Sequence, residues 1–585
     1  MKIICFSSHT STWYFALAEA VIALALQKKG HDVLYITPGN QFGGISNLDN
    51  EKIIRKELNL KGYEIGTVLT DKDNKEIEIL ISRLNRKNFS KLVIDDVQIG
   101  KIALYEFLII RKKMDVNFTA DEWKECLFAI KNTLISFYAC RRILKMEKPD
   151  RVLMYSTLYS VNRAWERCAS SKKIPVYYLH HGLNFSDIDN TLIIAKDNTF
   201  YYLNNLKKEW AKLKEVAVNR GMLNYVTDHF LELLKANHYL VYSAPKSKQQ
   251  LSIRKIFDIK RNQKILTATM SSYDEMFAAE YVGAWKSPKK LIFKNQTDWV
   301  KQLIGYVRNK KDLFLIIRVH PREFPNKRDG VKSEHAKILE NVFKNLPNNV
   351  KINWPTDNIS IYDLAQETDV FLNAWSTVGV EMSLLGIPVV IYSKELVHYP
   401  SNLNYVAENL DDYFMKIESA LNDGWSYEKI KKTYRWLALY YCRTIMRIKR
   451  KKQVSSQSKF SKFVSIVKNC YYISLSPKIR HFIVKFAMIA LRLGVVKRQR
   501  DECKRQLKEH IDISSVEKML VKSENTLVDL KSASKNKVPS RDEDIFIRRQ
   551  IKRIYKAMYG SSPERMNIEE NSLQNNLRRV AVKSI

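Results

Sequence analysis

Two apolar runs in the C-terminal half of this 585-residue chain are each followed by a cluster of polar residues. The run at 313–317 leads into RVHPRE at 318–323, and the run at 370–372 leads into WSTVGVE at 375–381. Short apolar runs bounded by polar and turn residues are typical of buried parallel strands. Because such strands end at one edge of an open α/β sheet, we expect both clusters to lie at a ligand-binding edge.

The second cluster is also the predicted start of a short helix. Ser376 and Thr377 precede an apolar stretch that Gly386 ends, and 387–392 follows as the next strand. A helix start offers backbone N–H groups and a favourable dipole to an anion. Taken singly, a Ser-Thr pair before a helix is a cap and a His-Pro after a strand is a turn. Their combination with two arginines favours a bound phosphate or diphosphate.

These motifs resemble a family of bacterial surface-polysaccharide transferases. The family includes capsule biosynthesis proteins that use CMP-linked Kdo or sialic acid and, more distantly, the CDP-glycerol transferases of teichoic acid synthesis. The similarity covers about 151–393 and ends beyond about residue 440. Its motifs here are SSYDE at 271–275, RVHPRE at 318–323, PTDNISIYDL at 355–364 and STVGVE at 376–381.

The resemblance implies that the C-terminal motifs bind the donor nucleotide. In this family an Arg-x-His-Pro element and a Ser/Thr pair contact the nucleotide and its phosphate. Those roles fall here on Arg318, His320 with Pro321, Ser376 and Thr377.

Five further residues are candidates for the donor site, and each has a structural alternative. Glu381 lies one helical turn after the Ser/Thr pair, so it either binds the nucleotide ribose or caps the helix. Ser271 and Ser272 open a segment that faces the phosphate or is an ordinary capping sequence. Asp357 and Ser360 have the same two interpretations.

The N-terminal half predicts a second α/β unit. Strand, helix and strand alternate over 2–36, which is a βαβ start and not an export signal, and again over 151–179. The segment 190–259 is predicted to be a helical and basic connection. Two Rossmann-like units suggest the GT-B architecture, in which donor and acceptor meet in a cleft between domains. The predicted divisions are an N-terminal acceptor domain (1–240), a C-terminal nucleotide-donor domain (241–420), a crossover and basic amphipathic membrane-associating region (421–500) and a helical tail (501–585).

Transfer of a sugar requires a base for the acceptor hydroxyl. His180 and His181 follow the predicted strand 175–179, and a glycine after them would let the backbone approach a ligand. In the teichoic acid relatives a His-Gly pair at a similar place serves as the base, which favours His181. Asp187 and Asp189 are alternatives, as base or, in a retaining mechanism, as nucleophile. A histidine hydrogen-bonded in a loop is the structural alternative, and these possibilities stay open.

No metal ion and no cofactor are expected, and the nucleotide sugar enters as a substrate. Asp-x-Asp or similar acidic triplets occur at 71–73, 187–189 and 542–544. Only the first follows an apolar stretch, and its Asp- and Asn-rich context is typical of a turn. The seven cysteines are scattered and include no Cys-x-x-Cys pair, which fits a reduced cytoplasm.

The basic excess is concentrated in the C-terminal part of the chain. Residues 441–500 include 16 Lys or Arg and no Asp or Glu, and 441–585 contributes 34 − 13 = +21 of the total +36. The segment 480–493 combines cationic flanks with a broad apolar face, which suits an anionic membrane surface, and a core helix is the alternative. The segment 544–558 is predicted to be one more basic amphipathic helix. No nucleic-acid recognition motif accompanies the charge.

The sequence therefore predicts a metal-independent GT-B glycosyltransferase of capsule or lipopolysaccharide assembly, cytoplasmic and peripheral on the inner face of the membrane. The expected donor is CMP-Kdo or a related CMP-sugar, and the expected acceptor is a lipid-linked or growing polysaccharide. Other polysaccharide-assembly proteins are further expected partners, and nucleic acid is not. A CDP-glycerol-type or UDP-sugar transferase is the enzymatic alternative. A nucleotide-sugar or glycan-binding protein without catalysis is the other alternative.

Overall fold

The computed structural model describes residues 1–43, 45–238, 240–327, 330–447, 513–528, 540–564 and 572–582. Their strands form two sheets. In chain order the strands are β1 (Lys2–Phe6), β2 (Asp32–Ile36), β3 (Arg151–Tyr155), β4 (Val176–His181), β5 (Thr191–Lys196), β6 (Lys264–Thr269), β7 (Leu313–Arg318), β8 (Val350–Asn353), β9 (Val370–Asn373), β10 (Val389–Ile391) and β11 (Met446–Arg447).

Helices cover both sheets and connect them. In chain order the α-helices of the described residues are α1 (Trp13–Lys28), α2 (Leu48–Leu58), α3 (Asp71–Ser82), α4 (Ile99–Ile102), α5 (Tyr105–Arg111), α6 (Ala120–Glu147), α7 (Ser160–Ser171), α8 (Thr199–Leu213), α9 (Arg220–Lys235), α10 (Ile253–Phe257), α11 (Tyr273–Tyr281), α12 (Gln296–Val307), α13 (Glu334–Val342), α14 (Ile361–Leu364), α15 (Val378–Leu384), α16 (Leu410–Asp423), α17 (Tyr427–Cys442), α18 (Ser514–Val521), α19 (Ser540–Tyr559) and α20 (Ser572–Val582).

The N-terminal sheet has the order β11-β5-β4-β3-β1-β2. Strands β1 to β4 are parallel, β5 runs antiparallel to β4, and β11 runs antiparallel to β5. The chain passes from β1 to β2 on one side and then returns to β3 on the other side. The sheet therefore has a topological switch point between β1 and β3, where ligands bind in open α/β sheets.

The C-terminal sheet is parallel throughout and has the order β10-β9-β6-β7-β8. Strands β7 and β9 are buried on both faces, as expected for a parallel sheet covered by helices. The chain moves from β6 to β7 on one side and later to β9 on the other. The switch point therefore lies between β6 and β9, and the predicted Ser pair and Ser/Thr pair follow these two strands.

The predicted architecture, two α/β units of the GT-B type that face a cleft, is confirmed, and strands β7 and β9 were correctly predicted. Three local predictions were wrong. The strand predicted over 175–179 extends to His181, so both histidines belong to β4. Strand β5 lies in the segment predicted to be helical, because its apolar run pairs with β4. The turn predicted at 71–73 is the first turn of α3, where Thr70 and Asp73 form a capping box.

The described part of the tail packs against the two domains. In α18, Val516, Met519 and Leu520 are fully buried in the core beneath the N-terminal sheet. The helix predicted over 544–558 is present as α19, and its apolar face packs on α9 and α20. The segment 480–493 lies outside the described residues. Across the described ranges, every helix is too short or too polar to cross a bilayer.

Candidate active site

The two histidines of β4 lie at the carboxyl edge of the N-terminal sheet. His180 stacks on Tyr155 at the end of β3, with ring centroids 5.3 Å apart, and Tyr155 in turn stacks on Phe15 at 3.8 Å. The rings of His180 and His181 are 4.1 Å apart. Both histidines are half-buried. Parallel pairing of β3 with β4 thus fixes their position at the cleft.

Hydrogen bonds assign the tautomers of this pair. Nδ1 of His181 lies 2.8 Å from the carbonyl oxygen of Gly182, and Nδ1 of His180 lies 2.9 Å from the carbonyl oxygen of His181. A carbonyl oxygen only accepts, so each neutral ring carries its proton on Nδ1 and its lone pair on Nε2. Burial lowers the pKa of His180 to about 3. In its neutral form, His181 therefore carries on Nε2 the lone pair that a general base requires.

Gly182 has a packing role. Its N–H donates to the carbonyl oxygen of Thr191 at 2.7 Å, and a Cβ at this position would lie 1.8 Å from Thr191 Oγ1. The glycine thus permits the close connection of β4 to β5. Gly182 also lines the interdomain cavity, so approach of its backbone to a ligand stays a prediction.

The two candidate carboxylates lie in the β4–β5 connection. Asp187 forms an ion pair of 3.0 Å with Arg447 of β11 and accepts a hydrogen bond from Asn190 Nδ2 at 2.5 Å. Asp189 belongs to the short 3₁₀ helix Ile188–Asn190. The Asp187 carboxylate therefore ties the β4–β5 connection to β11, which favours a structural role.

In the C-terminal domain, the loops after β6 and β9 are tied together at the switch point. The side-chain oxygen of Ser271 accepts a hydrogen bond from the N–H of Trp375 at 3.2 Å. The N–H of Ser271 donates to Gln296 at 2.8 Å, and Ser272 donates to Glu275. Ser271 and Ser272 are both buried. These serines hold the shape of the edge on which the Ser/Thr pair lies.

The Ser/Thr pair precedes α15, and its Thr377 is linked to Glu381 in that helix. Ser376 Oγ accepts a hydrogen bond from the N–H of Val378 at 3.2 Å. Thr377 is exposed, its backbone is already helical, and its Oγ1 donates to Glu381 Oε1 at 2.8 Å. The hydroxyl of Tyr362 donates to Glu381 Oε2, also at 2.8 Å. Burial raises the pKa of Glu381. The two hydrogen bonds hold its carboxyl group in place at the cleft.

Arg318 lies inside its own domain. Its guanidinium donates to the side chain of Asn353 and, at 2.8 Å, to the carbonyl oxygen of Ile359. Burial lowers the pKa of Arg318 to about 10. Asp357 accepts from Asn353 Nδ2 at 3.0 Å, and Ser360 caps α14. Arg318, Asp357 and Ser360 therefore form the frame of the loop at 353–360.

His320 presents the opposite tautomer to His181. Its Nδ1 accepts a hydrogen bond from the N–H of Arg322 at 3.3 Å, so the proton of the neutral ring is on Nε2. Burial lowers the pKa of His320 to about 4. Pro321 begins the 3₁₀ helix Pro321–Glu323 that makes this bond possible. His320 is therefore a neutral hydrogen-bond donor.

Arg322 is the second of the two arginines that the sequence places near the phosphate, and it was given no individual role there. Its guanidinium pairs with Asp274 at 2.7 Å and donates to Tyr242 at 3.0 Å and to the carbonyl oxygen of Ile109 at 2.7 Å. Ile109 belongs to the N-terminal domain. The second arginine of RVHPRE was the available signal.

His9 and Glu106 are two further candidates that were missed. His9 follows β1 at the switch point, and its Nε2 is 4.0 Å from Glu106 Oε1. Glu106 accepts hydrogen bonds from the N–H and hydroxyl of Ser160 at 3.0 Å. Burial raises the pKa of Glu106 to about 7 and lowers that of His9 to about 4. The position of His9 after a strand was the available signal, since His180 and His181 were found by the same reasoning.

A cavity of about 350 Å³ lies between the two domains. His180 and His181 line it from the N-terminal sheet. Glu381 of α15 and Thr377, the residue before that helix, line it from the C-terminal domain. The structure thus brings these four predicted residues together. Arg318 and His320 belong to β7 and its following loop, two strands away from β9. Within the described ranges, no three His, Cys, Asp or Glu side chains are grouped to hold a metal ion.

Comparisons with known proteins found similar structures only at low identity. No family model and no curated protein matches the chain. The UDP-GlcNAc 2-epimerase of Methanocaldococcus jannaschii, in complex with UDP-GlcNAc and UDP, is 18% identical over 74% of this chain and 98% of its own, with a TM-score of 0.26. The β-Kdo 2,4 transferase KpsC of Thermosulfurimonas dismutans is 13% identical over 52% and 82%, with a TM-score of 0.33. The UDP-GlcNAc 2-epimerase of Neisseria meningitidis is 12% identical over 75% and 94%, with a TM-score of 0.25. These likenesses are weak, and the architecture of this protein rests on its own two sheets and the cavity between its domains.

Proposed function

We propose that this protein is a glycosyltransferase that moves a sugar from a nucleotide-activated donor to an acceptor hydroxyl in the cleft between its domains. One observation carries the proposal. The base-form Nε2 of His181 and the hydrogen-bonded pair Thr377–Glu381 come from opposite domains and line the same cavity. This pairing supplies a proton acceptor on one wall and polar groups for a nucleotide on the other.

The proposed reaction has two halves. The acceptor oxygen forms a bond to the anomeric carbon and gives its proton to His181 Nε2, while the bond from that carbon to the nucleotide phosphate breaks. Developing negative charge on the phosphate requires donors. The hydroxyl of Ser376 and the neutral Nε2–H of His320 are the proposed donors. Thr377, whose hydroxyl proton is donated to Glu381, positions that carboxylate as the proposed acceptor for ribose hydroxyls. Arg318 acts in this scheme as a positioning residue for the loop at 353–360.

The finer assignment is also a proposal. The motifs at 318–323 and 376–381 resemble those of capsule transferases, which supports CMP-Kdo or a related CMP-sugar as the donor and a lipid-linked surface polysaccharide as the acceptor. The same resemblance supports metal-independent transfer by a peripheral protein on the inner face of the membrane. His181 is favoured over Asp187, because the Asp187 carboxylate is paired with Arg447.

A nucleotide panel tests the proposal. A ligand that binds only the folded state stabilises it by mass action, about 2.7 kcal/mol at 100 times Kd, so the nucleotide with the lowest Kd raises the melting temperature most. We expect that nucleotide to be CMP and not CDP, UDP or GDP. CMP-Kdo with a synthetic Kdo-bearing alkyl glycoside should then release CMP. Binding of a nucleotide without release in the presence of this acceptor would favour the non-catalytic alternative. No shift with any of the four nucleotides would overturn the proposal.

A further inference from the structure

The inner part of the interdomain cavity is apolar, in contrast to its outer part. Thr377 and His398 are exposed and mark the open side, whereas Val226, Phe230 and Trp436 are at most 1% exposed and mark the closed side. All five residues line the same cavity. A single space therefore runs from the proposed reaction centre into a hydrocarbon-lined chamber.

Three helices build the chamber from regularly spaced side chains. On α9 the lining residues recur at helical spacing as Val226, His229, Phe230 and Leu233. Helices α15 and α17 contribute residues with similar spacing, and Leu384 is the last residue of α15. Positions three and four apart lie on one helix face. The chamber is therefore formed by one continuous face of α9 and by the facing sides of two other helices.

The polar groups in the chamber wall bond to the protein itself. His229 Nδ1 accepts a hydrogen bond from the N–H of Phe185 at 3.0 Å, so its Nε2 carries the proton and lies 2.9 Å from the hydroxyl oxygen of Tyr441. Burial lowers the pKa of His229 to about 3. This histidine is thus neutral, with both ring nitrogens engaged. The wall contacts its occupant mainly through carbon.

This chemistry selects the occupant. A cavity of about 350 Å³ is in the size range of small-ligand sites, roughly 300–1,000 Å³. Sugar hydroxyls and the amide or amino edge of a nucleobase need hydrogen-bond partners when buried, and burying them without partners is costly. A hydrocarbon chain has no such requirement and gains free energy by leaving water.

We infer that the chamber binds the hydrocarbon chain of an amphiphilic acceptor, with the acceptor hydroxyl beside His181 at the open side. The inference rests on the proposed function for the role of the ligand as acceptor. It adds that the protein recognises the lipid part of that acceptor directly. The occupant is a linear alkyl or prenyl chain that enters the cleft from the side of Thr377 and His398.

The test uses the full-length protein and n-alkyl β-glucosides from hexyl to decyl, below their micelle concentrations. Burying a methylene contributes about 0.8 kcal/mol, so calorimetry should show affinity rising about three- to fourfold per methylene until the chamber is full. Leu233→Trp and, independently, Val380→Phe should remove this dependence on chain length. Met415→Trp is the matched control, because Met415 is an exposed apolar residue on a helix. An affinity that is independent of chain length in the wild type would overturn the inference.

A second measurement does not depend on a variant that fills the chamber with a larger side chain. An alkyl glucoside brominated on its chain should quench tryptophan fluorescence, and Trp436→Phe should abolish most of that quenching. Equal quenching in the wild type and in Trp436→Phe would count against the chamber. So would loss of CMP binding in Leu233→Trp, because it would assign the chamber to the nucleobase. If alkyl chains bind as expected but no sugar is transferred, the proposed function fails and the chamber stands. If transfer occurs equally with short and long chains, the chamber fails and the function stands.

Discussion

The Nη2 atom of Arg322 in the C-terminal domain donates a 2.7 Å hydrogen bond to the backbone carbonyl of Ile109 in the N-terminal domain. The same guanidinium is paired with Asp274, so one buried cation serves both its own domain and the opposite wall of the cleft. Its backbone N–H also holds Nδ1 of His320. Arg322 therefore takes part both in the contact between the domains and in fixing the tautomer of His320, which is a proposed hydrogen-bond donor to the phosphate.

Replacement of Arg322 by alanine should lower the free energy of unfolding by about 3–5 kcal/mol, because it leaves the buried Asp274 carboxylate without its cation. Urea denaturation measures the change. Lys394→Ala is the control, since it removes an exposed ion pair with Glu408 and should cost less than about 1 kcal/mol. Equal losses in the two variants would show that the Arg322 pair is no more important than a surface contact.

His181→Ala should lower turnover about 100-fold or more while the nucleotide Kd stays near that of the wild type, because the variant loses only the proton acceptor. His180→Ala should have a smaller effect on turnover, since His180 stacks on Tyr155. Steady-state kinetics and calorimetry separate the two effects. Full activity in both variants would move the base elsewhere, and His9 and Glu106 would then be tested first.

His320→Ala should weaken nucleotide binding by roughly 1.5–3 kcal/mol, as expected for the loss of a hydrogen bond to a charged group. His320→Gln should retain part of that affinity, because an amide N–H can replace Nε2–H. The pKa of His320 is lowered to about 4, so we expect no titration of this residue in the nucleotide affinity between about pH 6 and 8. Calorimetry of both variants across that range is the measurement. Identical affinity in the wild type and in His320→Ala contradicts the assignment.

Glu19 provides a prediction about pH and stability. It is buried in α1, accepts a hydrogen bond from the N–H of Tyr155 at 2.6 Å, and burial raises its pKa from 4.5 to about 8. Between these values the folded state holds a proton that the unfolded state has lost. The stabilisation from this group is therefore complete below about pH 4.5 and is lost as the pH rises to about 8, with a slope of up to about 1.4 kcal/mol per pH unit. Glu19→Gln should remove this part of the slope in urea denaturation series. An unchanged slope would contradict the prediction.

Membrane attachment is tested best by charge substitution. Truncation after about residue 440 would also remove β11, α18 and α19, which pack in the cores, so loss of folding would be mistaken for loss of binding. The full-length wild type should sediment with anionic but not neutral vesicles, and less at about 1 M salt, where the Debye length is only a few Å. A variant with glutamine at several basic positions should sediment less: Arg480, Lys485, Arg492, Lys497 and Arg498.

The matched control for that experiment replaces five exposed lysines of the C-terminal domain by glutamine: Lys301, Lys311, Lys337, Lys344 and Lys351. Equal sedimentation of the variant and the control would exclude the basic segment as the membrane-binding element. Equal sedimentation with anionic and neutral vesicles would exclude electrostatic attachment.

Local patterns in the sequence predicted the elements that carry the site but not the partners of each side chain. Strands β7 and β9 follow from apolar runs and flanking polar residues, and the face shared by Thr377 and Glu381 follows from helical spacing. The inward direction of Arg318 was not predictable, because its hydrogen-bond partners Asn353 and Ile359 belong to a later segment of the chain. The bond from Arg322 to Ile109 joins residues more than 200 positions apart, and such a pairing leaves no periodic signal.

Sheet order explains the remaining differences. Strand β5 was missed because the antiparallel partner that buries its apolar run is known only when β4 is placed beside it. His9 gained importance from the switch point between β1 and β3, which depends on the order of strands in space. Periodicity identifies strands, but it does not give their neighbours.

The pairing of β11 with β5 has a mechanical consequence. The chain leaves the N-terminal sheet at Arg447 and returns to the core beneath that sheet at Ile513. Both ends of the basic segment at 448–512 are thus anchored in the same domain. A surface that binds this segment would therefore hold the protein by its N-terminal domain, the domain that contributes His180 and His181 to the cavity.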